Sequence, residues 1–302
     1  MGIFLLKSKD MKTILIATDF SKASRNASIY GLHLAKAINA KVILFSAYQI
    51  PSPPTGLGMS ISRYDVMEQT RQKLMDEEEK ITYINMPEIK TICDEGVAGD
   101  AIINMANEKK ADFIITGMKG SGKSFKKIFG STATSLAKNS KIPVIIIPED
   151  AKFKNPDTLI FASDNIIDAD KNALEQLITI TKLFKSKLFV VKVIKNKNEE
   201  WFEVSDTPQE LRKVFEILDS SIEYPVDTDV THALNKFIKK HDADMLVMMP
   251  HKHDWLERLF IKSETKDMIF HSQIPLLVLP EGQIKERSGS ETLVSSENTT
   301  AY

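Results

Sequence analysis

An internal repeat constrains the fold of this chain of 302 residues more than any other feature. Asp112-Phe-Ile-Ile-Thr reappears as Asp244-Met-Leu-Val-Met, and each stands the same distance before an Ile-Pro-Val or Ile-Pro-Leu segment. The two stretches align without a gap, and Ala17-Thr18-Asp19 likewise matches Ala162-Ser163-Asp164. Repetition of this kind predicts a tandem of two related domains.

Each copy has the order of elements typical of an α/β fold. Short apolar runs, such as 13–17, 41–47 and 142–147, alternate with segments of helical periodicity. Strands that are apolar throughout are buried on both faces, which indicates a parallel sheet covered by helices on both sides. We predict two doubly wound α/β domains, each with a mainly parallel, five-stranded sheet.

The domain limits follow from the composition of the connecting segments. We expect an extension over residues 1–10, a first domain over 11–150 and a second domain over 151–283. The polar, Ser/Glu/Thr-rich stretch 284–302 is predicted to be a disordered tail.

The composition excludes several classes of partner. Lys plus Arg number 40 and Asp plus Glu number 41, so no general attraction to nucleic acid or anionic membrane is expected. No apolar run approaches the roughly 18 residues of a membrane span. The single cysteine, Cys93, excludes an intrachain disulfide and suits a reducing cytoplasm. The acidic run Asp76-Glu-Glu-Glu is predicted to be a solvated helix face.

A glycine-rich stretch from Gly117 to Ser131 lies between a predicted strand and a predicted helix, where an α/β fold binds phosphate. Two motifs overlap in it. Gly117-x4-Gly122-Lys123-Ser124 satisfies the P-loop pattern, in which the lysine and serine serve phosphate and Mg²⁺. Gly130 interrupts only six residues after Ser124, and the stretch follows the fourth strand of its domain. A P-loop-like ATPase or kinase is therefore kept as the alternative.

The second motif uses other positions. Gly117-x2-Gly120-x9-Gly130-Ser131 resembles the signature of nucleotide-binding members of the universal stress protein family. The runs ending at Asp19 and Ile147 also resemble the first and last strands of that family. The resemblance implies an adenine nucleotide alpha hydrolase-like fold, a regulatory role in stress response, and ATP, with or without Mg²⁺, as the cofactor. Because members of the family commonly pair through their last strand, it also implies that the runs 142–147 and 275–279 pair within the chain as a pseudo-dimer. A homodimer of whole chains is left open.

The resemblance also implies which residues bind the nucleotide: Asp19, Ala47, Gly117, Gly120, Gly130, Ser131 and Thr132. In the family, the residue matching Asp19 lies near adenosine, and the backbone matching Ala47 meets adenine. The first two glycines leave room for ribose and phosphates. The last three residues hold phosphate at the start of a helix, which accords with anion binding by free N–H groups.

Nucleotide binding does not require catalysis. The sequence offers no Ser-His-Asp constellation, no carboxylate pair at a defined spacing and no evident base for activating water. We therefore predict a binding or regulatory protein without catalytic residues, acting with a protein partner that the sequence does not identify. Slow ATP hydrolysis or self-phosphorylation is kept as a minor alternative. The second hypothesis for the function is the P-loop-like ATPase or kinase that uses Lys123 and Ser124, and the third is a nucleotide-free scaffold.

The second copy departs from the glycine pattern. Met249, Lys252 and Lys262 stand where the first copy has its three glycines, so side chains project where a backbone would touch phosphate. We predict that this copy does not bind ATP. His251 and His253 are too few to define a metal site, which needs three or four converging ligands. No metal is predicted there, and the segment is interpreted as a packing loop.

Overall fold

The computed structural model describes residues 11–50, 62–83, 85–118, 130–163, 171–198, 215, 218–249 and 274–280. The elements of the first half are β1 Thr13–Ala17, α1 Lys22–Ile38, β2 Lys41–Tyr48, α2 Arg63–Ile81, β3 Ile89–Glu95, α3 Ala98–Glu108, β4 Phe113–Met118, α4 Ser131–Asn139 and β5 Val144–Pro148. Those of the second half are β6 Thr158–Ala162, α5 Lys171–Phe184, β7 Lys187–Val191, β8 Ser220–Glu223, α6 Val230–Lys240, β9 Met245–Met248 and β10 Leu276–Val278.

All ten strands form one sheet in the order β3-β2-β1-β4-β5-β10-β9-β6-β7-β8. Every neighbouring pair is parallel except β5 and β10, which run antiparallel with Ile145 opposite Leu277. The predicted fold class is thus confirmed, and so is the pairing of the last strands within the chain. The two five-stranded sheets are continuous, related by a pseudo-two-fold axis between β5 and β10.

The repeated aspartate that revealed the duplication has the same role in each half. The Asp112 carboxylate accepts a hydrogen bond from the Thr13 N–H at 2.8 Å, and the Asp112 N–H donates to the Thr13 carbonyl at 2.8 Å. Asp244 and Thr158 make the same reciprocal pair at 2.9 Å and 2.9 Å. Each aspartate therefore fixes the start of the first strand of its half beside the fourth strand.

The first helix lies unusually close to the sheet. Ser21 caps α1, because its hydroxyl accepts from the Ser24 N–H. At Gly31, an added Cβ would stand 2.7 Å from the Cδ1 of Ile16, so the end of the Ile16 side chain would have to shift. Asn39 ends the helix in the left-handed conformation with φ 53°.

Alternation along the strands divides the core into two layers. Ile14 and Ile16 of β1 pack on the same face as α1 and α5, whereas Leu15 and Ala17 face α3 and α4. Both layers continue across the junction between the halves, since Leu277 belongs to the first of them. In the part of the chain that the structure describes, no helix is both long and apolar enough to cross a membrane.

Two sequence interpretations need correction. Glu77 is not on a solvated face: its side chain is 1% exposed and accepts from Arg25 Nε at 2.8 Å and Nη2 at 2.7 Å. This bidentate pair joins α1 to α2. The helical spacing of 208–220 also suggests a helix as far as Ser220, but Ser220 belongs to β8 and pairs with Leu188. The predicted extension 1–10 and tail 284–302 lie outside the described residues.

Candidate functional site

The strand order of the first half reverses at β1, which predicts a crevice at the carboxyl ends of β1, β2 and β4. The chain passes from β1 to β2 on one side and later crosses to β4 on the other side of β1. In open α/β sheets, ligands bind where the strand order reverses in this way. Asp19 follows β1, Ala47 lies near the end of β2 and Gly117 lies near the end of β4. The structure therefore brings these three predicted residues to one edge of the sheet.

The turn between β1 and α1 is held by buried hydroxyls. The Thr18 N–H donates to the Phe45 carbonyl at 2.9 Å and extends the contact between β1 and β2. Phe20 has a φ of 65°, which is rare for an aromatic residue. The Thr18 hydroxyl stabilises this conformation by accepting from the Phe20 N–H at 3.0 Å, and Thr18 itself is only 6% exposed.

Ser24 completes this hydroxyl network, and sequence reasoning missed it. Its Oγ accepts from Thr18 Oγ1 at 3.2 Å and from Ser21 Oγ at 3.3 Å, and it donates to the Ser21 carbonyl at 3.1 Å. The signal was available as Ser21-x-x-Ser24, since the third residue after an N-cap commonly bonds back to it. The network fixes the direction in which the chain leaves β1.

Asp19 presents an ionised carboxylate at this turn. Its side chain is exposed, and Oδ1 accepts from the Ser21 N–H at 3.0 Å. Partial burial raises the pKa of Asp19, but hydrogen bonds from Ser21 and Ser24 lower it by more, so the pKa lies below the ordinary value of 3.8. At neutral pH the group is a hydrogen-bond acceptor for hydroxyl or amine donors.

Ala47 borders the crevice through its backbone. It is half-buried in β2, where it pairs with Asp94 of β3. The pairing of β2 with β1 ends earlier, at Phe45 and Ala17. Beyond that point, no described strand pairs with the edge of β2 that faces β1. The peptide groups on this edge of β2 therefore lie beside the crevice.

Gly117 occupies a different position from the one predicted. The sequence placed it in a loop after Thr116, but pairing with β5 continues through Gly117 and Ile147, so the residue lies inside β4. An added Cβ would stand 2.5 Å from the Ala23 carbonyl oxygen and 2.8 Å from the Ser24 nitrogen. A glycine is thus required for packing against the start of α1. Room for ribose at this residue stays a prediction.

Gly130 has no such packing constraint. Its φ of −64° and ψ of 151° are accessible to any residue, and no described atom lies within 4 Å of an added Cβ. It precedes α4 as an N-cap without a side-chain hydrogen bond. The N–H groups of Ser131 and Thr132, in the first turn, have no partner among the described residues. The open space beside Gly130 therefore adjoins two N–H groups, those of Ser131 and Thr132, to which no described residue is bonded.

Other predicted residues cannot be placed in the same way. Gly120, together with Lys123 and Ser124 of the P-loop pattern, lies in 119–129, outside the described residues. The same holds for His251 and His253. Within the described ranges, no group of three or more His, Cys, Asp or Glu side chains is arranged to hold a metal ion.

The second half is built differently at the corresponding edge. Met249 stands in the place of Gly117 and is 2% exposed, so the second half has a buried side chain where the first half has only a hydrogen. Ser163 corresponds to Thr18, but its buried hydroxyl has no hydrogen-bond partner in the described part of the chain. Asp164, Lys252 and Lys262 lie outside that part.

Comparison with known proteins agrees with the duplication. The model of the universal stress protein family matches residues 11–148 and, separately, 157–280. Universal stress protein MJ0531 of Methanocaldococcus jannaschii is 28% identical over 144 residues, which cover 47% of this chain and 84% of that protein. Universal stress protein Rv1636 of Mycobacterium tuberculosis is 26% identical over 141 residues, which cover 45% of this chain and 95% of that protein.

A solved structure extends the likeness to both halves. A universal stress protein from Archaeoglobus fulgidus superposes with a TM-score of 0.66, covering 89% of this chain and 98% of its own. At 18% identity, this likeness concerns the fold. With two matches to the family model and one continuous sheet built from both copies, the chain belongs to the universal stress protein family as a tandem, two-domain member.

Proposed function

We propose that the first half binds ATP in the crevice at the carboxyl ends of β1, β2 and β4, and that the protein regulates a partner according to nucleotide occupancy. A ligand shifts a conformational equilibrium only through its differential affinity for the two states. The nucleotide would therefore act by stabilising the arrangement of the turn after β1 and of the start of α4. Its role would be stress-responsive regulation rather than turnover.

The observation that carries this proposal is the open space at Gly130. Neither its backbone conformation nor any described neighbour requires a glycine there. A ligand that approaches the backbone closely would require one, because a side chain would fill the approach. The free N–H groups of Ser131 and Thr132, at the positive end of the α4 dipole, suit an anion such as phosphate.

The charges of the crevice give the nucleotide a direction. The Asp19 carboxylate repels phosphate and accepts hydrogen bonds, so it suits the ribose hydroxyls or the adenine amino group. The peptide groups near Ala47 can bond to adenine. The phosphates would then extend toward Gly130 and Ser131, with Gly120 beside them. Mg²⁺ keeps several waters and would accompany the phosphates, needing no protein cage of its own.

Other features of the sequence support two further proposals. The single cysteine and the absence of a long apolar run favour a cytoplasmic location. The two segments that match the family model favour domain limits of 11–150 and 151–283.

Titration calorimetry with ATP, together with an assay of turnover, tests the proposed site. The Gly130→Val variant should fold normally, because the backbone conformation suits valine, and should weaken ATP binding by at least about tenfold, or about 1.4 kcal/mol. Lys123→Ala is the matched control within the same stretch and should retain binding to within about threefold. This pattern would support the glycine-dependent site.

Different outcomes point to different functions. If Lys123→Ala alone abolishes rapid ATP turnover, the P-loop-like ATPase or kinase that uses Lys123 and Ser124 is correct. If the wild-type protein gives no binding heat at millimolar ATP, the nucleotide-free scaffold is correct. If Gly130→Val keeps the full affinity of the wild-type protein for ATP, the proposed position of the phosphates is wrong.

A further inference from the structure

One edge of the ten-stranded sheet is formed by β3. Among the described residues, no strand pairs with the side of β3 that faces away from β2. The Gly96 N–H donates to the Tyr48 carbonyl of β2 at 2.9 Å, so the even-numbered residues of this strand direct their peptide groups toward β2. The peptide groups of Thr91 and Cys93 therefore point outward. A free edge of this kind is a template for pairing with a strand of another chain.

The helix before β3 lies beside this edge. α2 packs over both β2 and β3, and the Met67 carbonyl oxygen lies 4.0 Å from the Cys93 Sγ. The inner side of α2 carries the buried Glu77, which pairs with Arg25 of α1. The opposite side of α2 therefore borders the free edge of β3.

This outer side of α2 exposes large apolar side chains. Tyr64 and Met75 are 67% and 49% exposed. Glu68 and Arg71 lie between them and have opposite charges. The spacing of the four residues, at i, i+4, i+7 and i+11, places them in one stripe along the helix. An exposed apolar pair next to a free strand edge is typical of an interaction surface.

The face of β3 away from α2 has a symmetric pattern of charge. Lys90 and Asp94 are exposed, and Ile92 between them is partly buried in the layer that contains α3. Charges on an edge strand normally prevent pairing, and registers centred on Lys90 or Asp94 would oppose like charges. In the antiparallel register centred on Ile92, each lysine instead faces the aspartate of a second copy. The strand is therefore complementary to itself in this register.

We propose that β3 pairs with β3 of a second copy of this chain, antiparallel and centred on Ile92, to give a closed, two-fold symmetric dimer. The outward peptide groups suit the same register, because Thr91 of one copy exchanges hydrogen bonds with Cys93 of the other. The two Ile92 residues then form a non-hydrogen-bonded pair, with their Cα atoms about 4.5 Å apart. The two ten-stranded sheets become continuous.

The same axis brings the two α2 helices side by side on one face of the sheet. Because Met67 lies beside Cys93, the axis at Ile92 passes close to the exposed stripe of α2. Tyr64 of each copy then faces Met75 of the other, and Glu68 faces Arg71. The charged pair lies at the rim and fixes orientation more than affinity. The proposal does not rest on nucleotide binding.

Sedimentation equilibrium of charge variants tests the dimer. The wild-type chain, of 34.0 kDa, should sediment as a dimer at about 50 µM. Lys90→Asp should weaken association at least about tenfold, because like charges then face each other across the axis. Combining Lys90→Asp with Asp94→Lys reverses both charges and should restore association to within about threefold of wild type.

Two outcomes of sedimentation would overturn the proposal. If the wild-type chain is monomeric at about 50 µM, the edge does not pair with a second copy and is left to a strand of a different protein. If Lys90→Asp leaves a dimer intact, or the double reversal does not restore it, the dimer uses another surface.

Disulfide trapping tests the register. In a Cys93→Ser background, which removes the single cysteine, Ile92→Cys brings two thiols together at the axis, within reach of a disulfide. Lys90→Cys in this background is the matched control, because the proposed register separates its two thiols by four residues, or about 13 Å. Mild oxidation should link the Ile92→Cys chains at least about tenfold faster than the control. Equal rates in the two variants would overturn the proposal.

Discussion

The two halves of the sheet share their architecture but differ at the edge where a ligand would bind. Both use the order of strands seen in β3-β2-β1-β4-β5, and both fix the first strand with an aspartate, Asp112 or Asp244. In the first half Gly117 accepts the start of α1, and Gly130 leaves open space. In the second half the residue that corresponds to Gly117 is Met249, whose side chain is buried. Positions that hold the sheet together have been kept, whereas those around the crevice have diverged.

The largest expected effect concerns a contact of the first half, the Arg25–Glu77 pair. Replacing Arg25 by Ala leaves the Glu77 carboxylate, 1% exposed, without its partner and should lower the free energy of unfolding by about 3–5 kcal/mol. Urea unfolding measures it. Arg71→Ala is the control: its pair with Glu68, at 4.0 Å, is exposed on both sides, so we expect less than about 1 kcal/mol. Similar losses in both variants would contradict the buried-pair interpretation.

The two glycines of the first half should respond in opposite ways. Gly117→Ala brings a Cβ against the backbone of Ala23 and should reduce stability by about 3 kcal/mol, because backbone cannot move aside cheaply. Gly130→Ala meets no described atom and should change stability by less than about 0.5 kcal/mol. Thermal and urea unfolding of both variants test this. A stable Gly117→Ala protein would show that α1 is less tightly placed than described.

The matched aspartates offer a direct comparison of the halves. Asp112→Asn and Asp244→Asn each weaken a bond to a strand N–H, and we expect losses of about 1–2 kcal/mol. Asp112 also pairs with Lys12 at 2.8 Å, whereas Lys154 lies 3.9 Å from Asp244. Asp112→Asn should therefore cost more at neutral pH.

The pKa of Asp244 adds a pH dependence to the comparison of the two aspartates. Burial raises this pKa above 3.8, against the smaller opposing effects of Thr158 and Lys154. Ionisation is thus harder in the folded state, and the stability from protonated Asp244 is lost as pH rises through the folded pKa. The cost of Asp244→Asn should fall between acid and neutral pH. A cost that rises over this range in urea unfolding would contradict the assignment.

The smallest effect belongs to Asp19 and has the opposite sign. Its pKa is below 3.8 in the folded protein, so its contribution to stability is fully present above pH 3.8 and is lost as pH falls through the folded pKa. The difference in unfolding free energy between wild type and Asp19→Asn should therefore shrink in acid. A series of unfolding curves from neutral pH to about pH 2.5 measures it. A difference that grows in acid would refute the hydrogen-bonded turn.

Much of the fold could be predicted because it is encoded locally. Continuous apolar runs identified the strands, and the repeated Asp112 and Asp244 identified the duplication. The pairing of β5 with β10 was instead implied by the resemblance to the family, and the structure confirms it. The burial of Glu77 could not be seen, because its partner Arg25 is 52 positions away in the chain and only the fold brings them together.

The candidate site was less predictable for a physical reason. Glycine normally interrupts a strand, so the sequence placed Gly117 in a loop, whereas close packing of α1 explains it within β4. The motif singles out Gly130 in the sequence. Only the structure shows that the space beside Gly130 is open, whereas the backbone of Ala23 lies against Gly117. The hydroxyl network of Thr18 and Ser24 depends on the geometry of one turn, which spacing alone only suggests.

We propose that the first half of the chain binds a nucleotide and that the second half does not. Titration calorimetry of the full chain with ATP gives the number of ATP molecules bound per chain. We predict one ATP per chain, with Gly130→Val reducing the affinity of that single site by at least about tenfold. Two equivalent sites, or one site that Gly130→Val leaves unchanged, would contradict the account.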